Sequence, residues 1–383
     1  MDLDDDEDNG EEGEEGENGQ KAVTKKPAQR MEEDGEDGEG DDQDFQVFIP
    51  GRDKLEEGEV LDFDNSAYDM LHSLNMEWPC LSIDILQDKL GAQRKKFPMT
   101  TYVVAGTQAD TPQNNKVMVM KMSHLCKTKH DDKGSDEEDS SDDDDDNADD
   151  TDDSEPILET KSIKHQGGVN RIRATQVGED TTLAASWSDT GKVHIWDLSH
   201  FLRGLDFPQH DKPPTGPLYT SGVHPTEGFS LDWSPTTPGR LLTGDCRKFI
   251  HLWETHGQGS WTVSSQPYTG HTNSVEDLQW RSVHLILLFY YFIAVGFLDF
   301  IQDSKTWVVW EYSPNEKDVF ASCSVDKTIK IWDARRREKA VLSVNAHSSD
   351  VNVISWNRPA PHLMLSGCDD GTFSIWDLRN FKS

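Results

Sequence analysis

The feature that most constrains this chain is a histidine–hydroxyl–tryptophan spacing that recurs along it. His224, His271 and His347 each stand nine residues before a tryptophan (Trp233, Trp280, Trp356), and His165 stands nine before Ala174 in the loosest copy. Ser186, Thr243, Ser322 and Ser366 each precede a second tryptophan (Trp196, Trp253, Trp332, Trp376) by ten residues. Self-similarity at a fixed period means that each unit is one supersecondary motif that buries its apolar face only by stacking on its neighbours. Within the units KFIHLW, TIKIW and TFSIW alternate apolar and polar residues, the period of strands with one face buried.

One unit is interrupted. Trp233 precedes Trp253 by 20 residues and Trp356 precedes Trp376 by 20, whereas Trp280 precedes Trp332 by 52. Removing residues 281–312 restores the spacing, so this stretch is read as an insertion inside a repeat. Its core, LILLFYYFIAVGFL, has 14 residues without a charge. As a helix it would rise roughly 21 Å against a hydrocarbon thickness of about 30 Å, too little to span a membrane. It also lacks the N-terminal position and basic flank of a signal peptide. LILLFYYFI combines β-propensity, hydrophobicity and absence of charge, the pattern of an aggregation-prone segment. The stretch is expected to mark an altered gene product, for example translated intronic sequence; the alternative is a genuine long loop between strands.

The units resemble WD40 repeats: the separation of 44 residues between Trp332 and Trp376 fits that family, as do the His, Ser/Thr, Asp and Trp positions. The resemblance implies that His271, Ser322, Asp326 and Trp332, and likewise His347, Ser366, Asp370 and Trp376, form buried hydrogen-bonded tetrads. A His, Ser and Asp in one place could suggest a hydrolase triad, but recurrence in unit after unit identifies a structural set. Arg247 and Thr190 occupy the aspartate position in two copies, so those units are expected to be less tightly pinned. LSIDIL, TTYVVAGTQ and KVMVMKM upstream read as strands of an earlier, divergent blade. The expected fold is an all-β WD40 β-propeller with about five of seven blades encoded, an N-terminal helix and long disordered acidic segments. Five blades leave the ring short of closure, which leads to the expectation of a truncated product. The expected boundaries are an acidic tail at 1–44, a segment with a helix at 45–77, a divergent first blade at 78–125, an acidic loop at 126–156, and four blades at 157–383 interrupted at 281–312.

Charge supplies a second constraint. The chain carries a formal net charge of −35. Residues 1–44 hold 20 Asp/Glu against four Lys/Arg and residues 131–155 hold 16 against one, so these two blocks account for −16 and −15. Such blocks lack the apolar area to offset chain entropy and are expected to be disordered. The second, with Asp142, Asp143, Asp144, Asp145 and Asp146, is expected between the first blade and the next, as a surface that captures strongly basic partners. Ser135, Ser140, Ser141, Thr151 and Ser154 within or beside it would deepen the charge if phosphorylated. Direct nucleic-acid binding is excluded, because the acidic blocks repel phosphates and no basic stripe interleaved with aromatics compensates.

The segment FQVFIPGRDKLEEGEVLDFDNSAYDMLHSLNMEWPCLSIDIL resembles the N-terminal region of histone-binding WD40 proteins related to the small chromatin-assembly subunit. Asn65 or Ser66 could cap a helix in which Ala67, Met70, Leu71 and Leu74 share a face. That resemblance implies a groove at Tyr68, Leu71 and Leu74 that grips a histone helix, the alternative being that the helix only covers an edge of the ring. With VFIPG, AGTQA, LLTGDCRKFIHLW and HTNSVEDLQW added, the similarity narrows to the glutamate-rich WD-repeat protein family. Membership implies a nuclear and nucleolar, non-enzymatic chaperone of a large-subunit ribosomal protein and of histones. An alternative rests on IWDAR and IWDLR, which match the pattern by which some WD40 proteins dock on the adaptor of cullin-4 ubiquitin ligases. Trp332, Asp333 and Arg335, and Trp376, Asp377 and Arg379, would then form the docking surface.

Enzymatic chemistry finds no support in the pattern: there is no P-loop, no GxGxxG between strand and helix, no HExxH and no CxxC, so no catalytic, cofactor or metal site is expected. Cys80, Cys126, Cys246, Cys323 and Cys368 are scattered and suit burial in a reducing compartment. KKPAQR, in the acidic tail, would serve either nuclear targeting or a linker.

Overall fold

The computed structural model describes residues 24–27, 52, 54, 59–62, 68–91, 94–128, 155–207, 214–257, 259–281 and 316–381. Most of the acidic tail, Asp142–Asp146 and the apolar segment 282–312 lie outside these. The chain falls into two compact units, residues 1–72 with 126–153 and residues 73–125 with 154–383. In the first, β1 (Thr24–Pro27) pairs antiparallel with β2 (Glu59–Asp62), Thr24 opposite Asp62. Residues 24–27 therefore depart from the expectation of disorder throughout 1–44.

The second unit is a series of antiparallel sheets, as alternating strands joined by short turns dictate. The first runs in the order β3 (Cys80–Leu86), β4 (Met99–Thr107), β5 (Lys116–Leu125), β6 (Ile157–Lys164). The second comprises β7 (Val169–Val177), β8 (Thr181–Ser188), β9 (Val193–Asp197) and β10 (Tyr219–Ser221), with helix α1 (Ser199–Asp206) between the last two. The third holds β11 (Ser230–Trp233), β12 (Leu241–Gly244), β13 (Ile250–Thr255) and β14 (Trp261–Val263). The fourth holds β15 (Val275–Trp280), β16 (Val319–Ser324), β17 (Thr328–Asp333) and β18 (Leu342–Asn345). The fifth, three-stranded among the described residues, is β19 (Val351–Trp356), β20 (Leu363–Cys368) and β21 (Phe373–Asp377). These sheets are the blades of a WD40 propeller.

One sequence expectation changes here. β5 pairs with β6 from Lys116 opposite Lys164 to Ser123 opposite Ile157. The second acidic run therefore connects the third and fourth strands of the first blade instead of separating two blades. The apolar segment lies between β15 and β16, whose register sets Trp280 opposite Phe320.

Sheets stack through their inner strands: β3 lies against β7, β7 against β11, β11 against β15 and β15 against β19. Gly106 and Gly244 permit two of these approaches, since a Cβ would fall 2.2 Å from Val169 in the first case and 2.9 Å from Val275 in the second. An apolar layer fills each junction, and the tryptophans of the repeat are its largest members: Trp196 lies in the first layer, Trp233 and Trp253 in the second, Trp280 and Trp332 in the third, Trp356 in the fourth. Each fully buried indole contributes roughly 4–6 kcal/mol of gross hydrophobic stabilisation. The outward faces of the series differ. Leu81, Ile83 and Ile85 of β3 are 57–73% exposed, and Phe373 and Ile375 of β21 are 70% and 69% exposed. No helix among the described residues is long and apolar enough to cross a membrane.

The repeated polar residues converge inside each blade on one hydroxyl. In the fourth blade Trp332 Nε1 donates to Ser322 Oγ at 2.8 Å, His271 Nε2 lies 2.6 Å from the same oxygen, and His271 Nδ1 lies 2.9 Å from Asp326. Burial lowers the His271 pKa, so the ring is neutral: Nδ1–H donates to the carboxylate and Nε2 accepts from the serine. In the third blade Trp253, Thr243 and His224 repeat this at 2.8 and 2.7 Å, and the carboxylate comes from Asp245, 2.8 Å from His224 Nδ1. Arg247 therefore does not loosen this blade, because the acid sits two residues earlier. In the second blade His165 Nδ1 donates to the carbonyl of Gly167 at 2.8 Å, and Ser186 Oγ joins His165 and Trp196 at 2.9 Å each.

Replacing Ser322 with Ala leaves two buried nitrogens unpaired and is expected to cost about 2–4 kcal/mol, read as a lowered urea midpoint. Ser322→Thr is expected to be near neutral, because Thr243 fills the same place in the third blade.

Candidate functional site

Inner strands carry more than apolar contacts. Each blade's inner strand accepts or donates hydrogen bonds to the inner strand of the next, where main-chain ladders cannot reach. Ser82 Oγ accepts from Ile172 N at 3.0 Å and Asp84 Oδ2 from Ala174 N at 2.7 Å. Arg171 Nε donates to Phe229 O at 2.7 Å and Trp233 Nε1 to Arg173 O at 2.8 Å. Asp232 Oδ2 accepts from Trp280 N at 2.7 Å. Asp277 Oδ2 accepts from Ile354 N at 3.2 Å, while Gln279 Oε1 accepts from Trp356 N.

Two carboxylates of this row, Asp232 and Asp277, are held above their ordinary pKa. Desolvation raises Asp232 to about 7; the Trp280 N–H opposes that shift and the neighbouring Asp277 adds to it. Asp277 is raised as well, again mainly by desolvation, with Arg171 opposing. The repeat spacing singles out the tryptophans of this row but not Asp232 or Asp277. The available signal was an acid placed inside an otherwise apolar strand, as in SLDW and VEDLQW.

Tyr68, Leu71 and Leu74, expected to line a histone groove, are partly buried. The helix expected through them is absent from described residues 68–79, and residues 63–67 lie outside the described residues. The reason is that the backbone is engaged elsewhere: Leu71 N donates to Thr128 Oγ1 at 2.7 Å, Thr128 N to Asp69 O at 2.9 Å, and His72 Nε2 lies 2.9 Å from Cys126 O. Helical periodicity in YDMLHSL was thus overridden by bonds to residues 126–128, more than 50 positions away.

Arg335 and Arg379 close onto their own motifs. Arg335 Nη2 lies 2.6 Å from Asp333 Oδ2 and Arg379 Nη2 lies 2.6 Å from Asp377 Oδ2, with each Nε also reaching the same carboxylate. These half-exposed forks share one geometry in adjacent blades. The acidic residues Asp142–Asp146 lie outside the described residues, within the connection from β5 to β6.

Comparison with known proteins fits this architecture. A sequence profile for the histone-binding protein RBBP4 and its counterpart in the CAF1 complex matches residues 58–126, and a "WD domain, G-beta repeat" profile matches residues 294–333 and 338–377. The chain is 46% identical over 299 residues to "Glutamate-rich WD repeat-containing protein 1" of Dictyostelium discoideum, covering 77% of this chain and 55% of that protein. It is 40% identical over 317 residues to "Ribosome assembly protein rrb1" of Schizosaccharomyces pombe, covering 80% and 56%. It is 42% identical over 314 residues to "Protein HEAT STRESS TOLERANT DWD 1" of Arabidopsis thaliana, covering 78% and 60%. The chain thus spans a little over half the length of these relatives.

Asp232 supplies a pH test. Between its ordinary value of 3.8 and about 7 the folded chain holds a proton that the unfolded chain has lost, so this group's contribution to stability falls as pH rises through that window. Asp232→Asn is expected to reduce the loss of stability between pH 5 and pH 8 by on the order of 1–2 kcal/mol, measured by urea unfolding at both values.

Proposed function

The chain belongs to the glutamate-rich WD-repeat protein family, and from that membership we propose that it is a non-enzymatic nuclear scaffold that chaperones basic proteins. Its partners are histones and a basic large-subunit ribosomal protein, and its place of work is the nucleolus as well as the nucleus. The observation that carries this reading is a coincidence on one blade. The histone-binding profile ends at residue 126, at the close of β5, and the block of 16 acidic residues follows directly before β6. A segment related to histone-binding proteins is thereby followed in the chain by a charge of −15 between two paired strands. Dense negative charge accelerates encounter with a basic partner and competes with nucleic acid for it. The name of the fission-yeast relative supports ribosome assembly as the setting.

Docking on a ubiquitin-ligase adaptor is the weaker reading, because the guanidiniums of Arg335 and Arg379 are held by Asp333 and Asp377.

Changing Asp142–Asp146 together to Asn is expected to slow association with histone H3–H4 several-fold at 50 mM salt and to have little effect near 1 M, where screening acts within about 3 Å. Stopped-flow association measured across that salt range provides the check. Equal rates for the two chains at low salt would contradict the proposal.

A further inference from the structure

We infer that the fifth blade holds a divalent metal ion of zinc type, ligated by His347 Nδ1, Cys368 Sγ and Asp370 Oδ. One ring nitrogen of His347, the Cys368 sulfur and an Asp370 carboxylate oxygen lie within 4.8 Å of one another, and Nε2 is already engaged by Ser366. The inference rests on comparing the same corner in successive blades. In the second, third and fourth blades the histidine Nδ1 has a hydrogen-bond acceptor at 2.8–2.9 Å: the Gly167 carbonyl, Asp245 and Asp326. In the fifth, the hydrogen-bond contact of His347 Nδ1 is the Thr372 hydroxyl at 3.4 Å. Asp370, which corresponds to Asp326, keeps that residue's bonds from the threonine two positions on, Thr372 N at 2.9 Å and Oγ1 at 2.5 Å, and accepts from Ser348 Oγ at 2.8 Å where Asp326 meets its histidine.

Two neighbouring blades show which backbone positions can reach Nδ1. Asp245 does so from two residues after the central hydroxyl residue, and Asp326 from four residues after it. In the fifth blade both positions carry metal-ligand chemistry: Cys368 stands two residues after Ser366 and Asp370 four after it. One corner therefore brings a thiol and a carboxylate to bear on the same imidazole nitrogen. The other ring nitrogen is already oriented, since His347 Nε2 lies 2.7 Å from Ser366 Oγ, which also accepts from Trp376 Nε1 at 2.8 Å. Ligation through Nδ1 uses the tautomer in which Nε2–H donates to Ser366, the reverse of that in the fourth blade, and frees the Nδ1 lone pair for the cation. A hydrogen bond of this kind on the far side of the ring fixes the tautomer of a ligating histidine.

Thiolate, imidazole and carboxylate together select zinc over hard cations. Tetrahedral bonds of about 2.0–2.3 Å place ligand atoms roughly 3.3–3.8 Å apart, a closure that side-chain rotation at Cys368 and exposed Asp370 supplies. Solvent occupies the fourth position, because Asp370 lies on the surface. Binding releases the Cys368 proton to solvent, so affinity rises with pH.

The probe is Co2+ added to the full chain, followed by competition with Zn2+. The expected result is one Co2+ per chain with a near-ultraviolet thiolate-to-cobalt charge-transfer band, abolished by one equivalent of Zn2+. Cys368→Ser recreates the serine that Ser324 provides in the fourth blade, so it should keep the metal-free unfolding midpoint while losing the band and at least 10-fold in Zn2+ affinity. Cys246→Ser should leave both unchanged, and Asp370→Asn should weaken binding while retaining the band. Cobalt binding without a thiolate band, which the acidic runs alone would give, overturns the inference. So does a band that survives Cys368→Ser, or no stoichiometric binding.

Discussion

Everything ordered in the four WD blades depends on one buried hydroxyl per blade. Ser186, Thr243, Ser322 and Ser366 each receive the tryptophan N–H from the strand that follows and engage the histidine that precedes the blade. Each oxygen thus ties a loop and two strands of one sheet together, and the indole it holds is packed within the blade stack. Buried polar groups of this kind are tolerated only when fully paired, which makes the position intolerant of apolar replacement while accepting either Ser or Thr. A second set of bonds extends the order between blades: acids and amides on one inner strand capture N–H groups of the next, at the cost of desolvated carboxylates such as Asp232.

Much of this was legible in the sequence, because the polar residues recur at fixed distances from tryptophan and because Trp280 and Ser313 rejoin a broken repeat. The fold class and the family followed from those positions. What was not legible came from long-range pairing. Nothing local reveals that β6, beyond an acidic block, returns to pair with β5, so the block was placed between blades instead of inside one. The helix expected near Leu71 obeyed its 3.6-residue period, but Thr128 and Cys126 captured the backbone and a side chain there. Reading Arg247 as a weak point failed for a different reason: Asp245 performs the same task from an adjacent backbone position, and spacing rules fixed on one offset do not register the substitute.

The functional account joins this framework to charge. The first blade bears the similarity to histone-binding proteins and also carries the acidic block as an insertion in its outer hairpin. In the proposed role, electrostatic attraction by this block adds to whatever specificity the folded surface supplies. The exposed apolar faces at either end of the blade series, with Ile85 at 73% and Phe373 at 70%, contrast with the sealed junctions between. Covering both faces is what ring closure accomplishes in a propeller.

The most direct test of the central claim is amide hydrogen exchange, resolved by peptide, on the metal-free chain. If the buried hydroxyl and its histidine hold each blade, the slowest amides should lie in the strands flanking Thr243 and Ser322, where the histidine is closed onto a carboxylate. The equivalent amides around Ser366 should then exchange markedly faster. Protection around Ser366 equal to that around Ser322, or slow exchange confined to strands remote from these hydroxyls, would contradict the account.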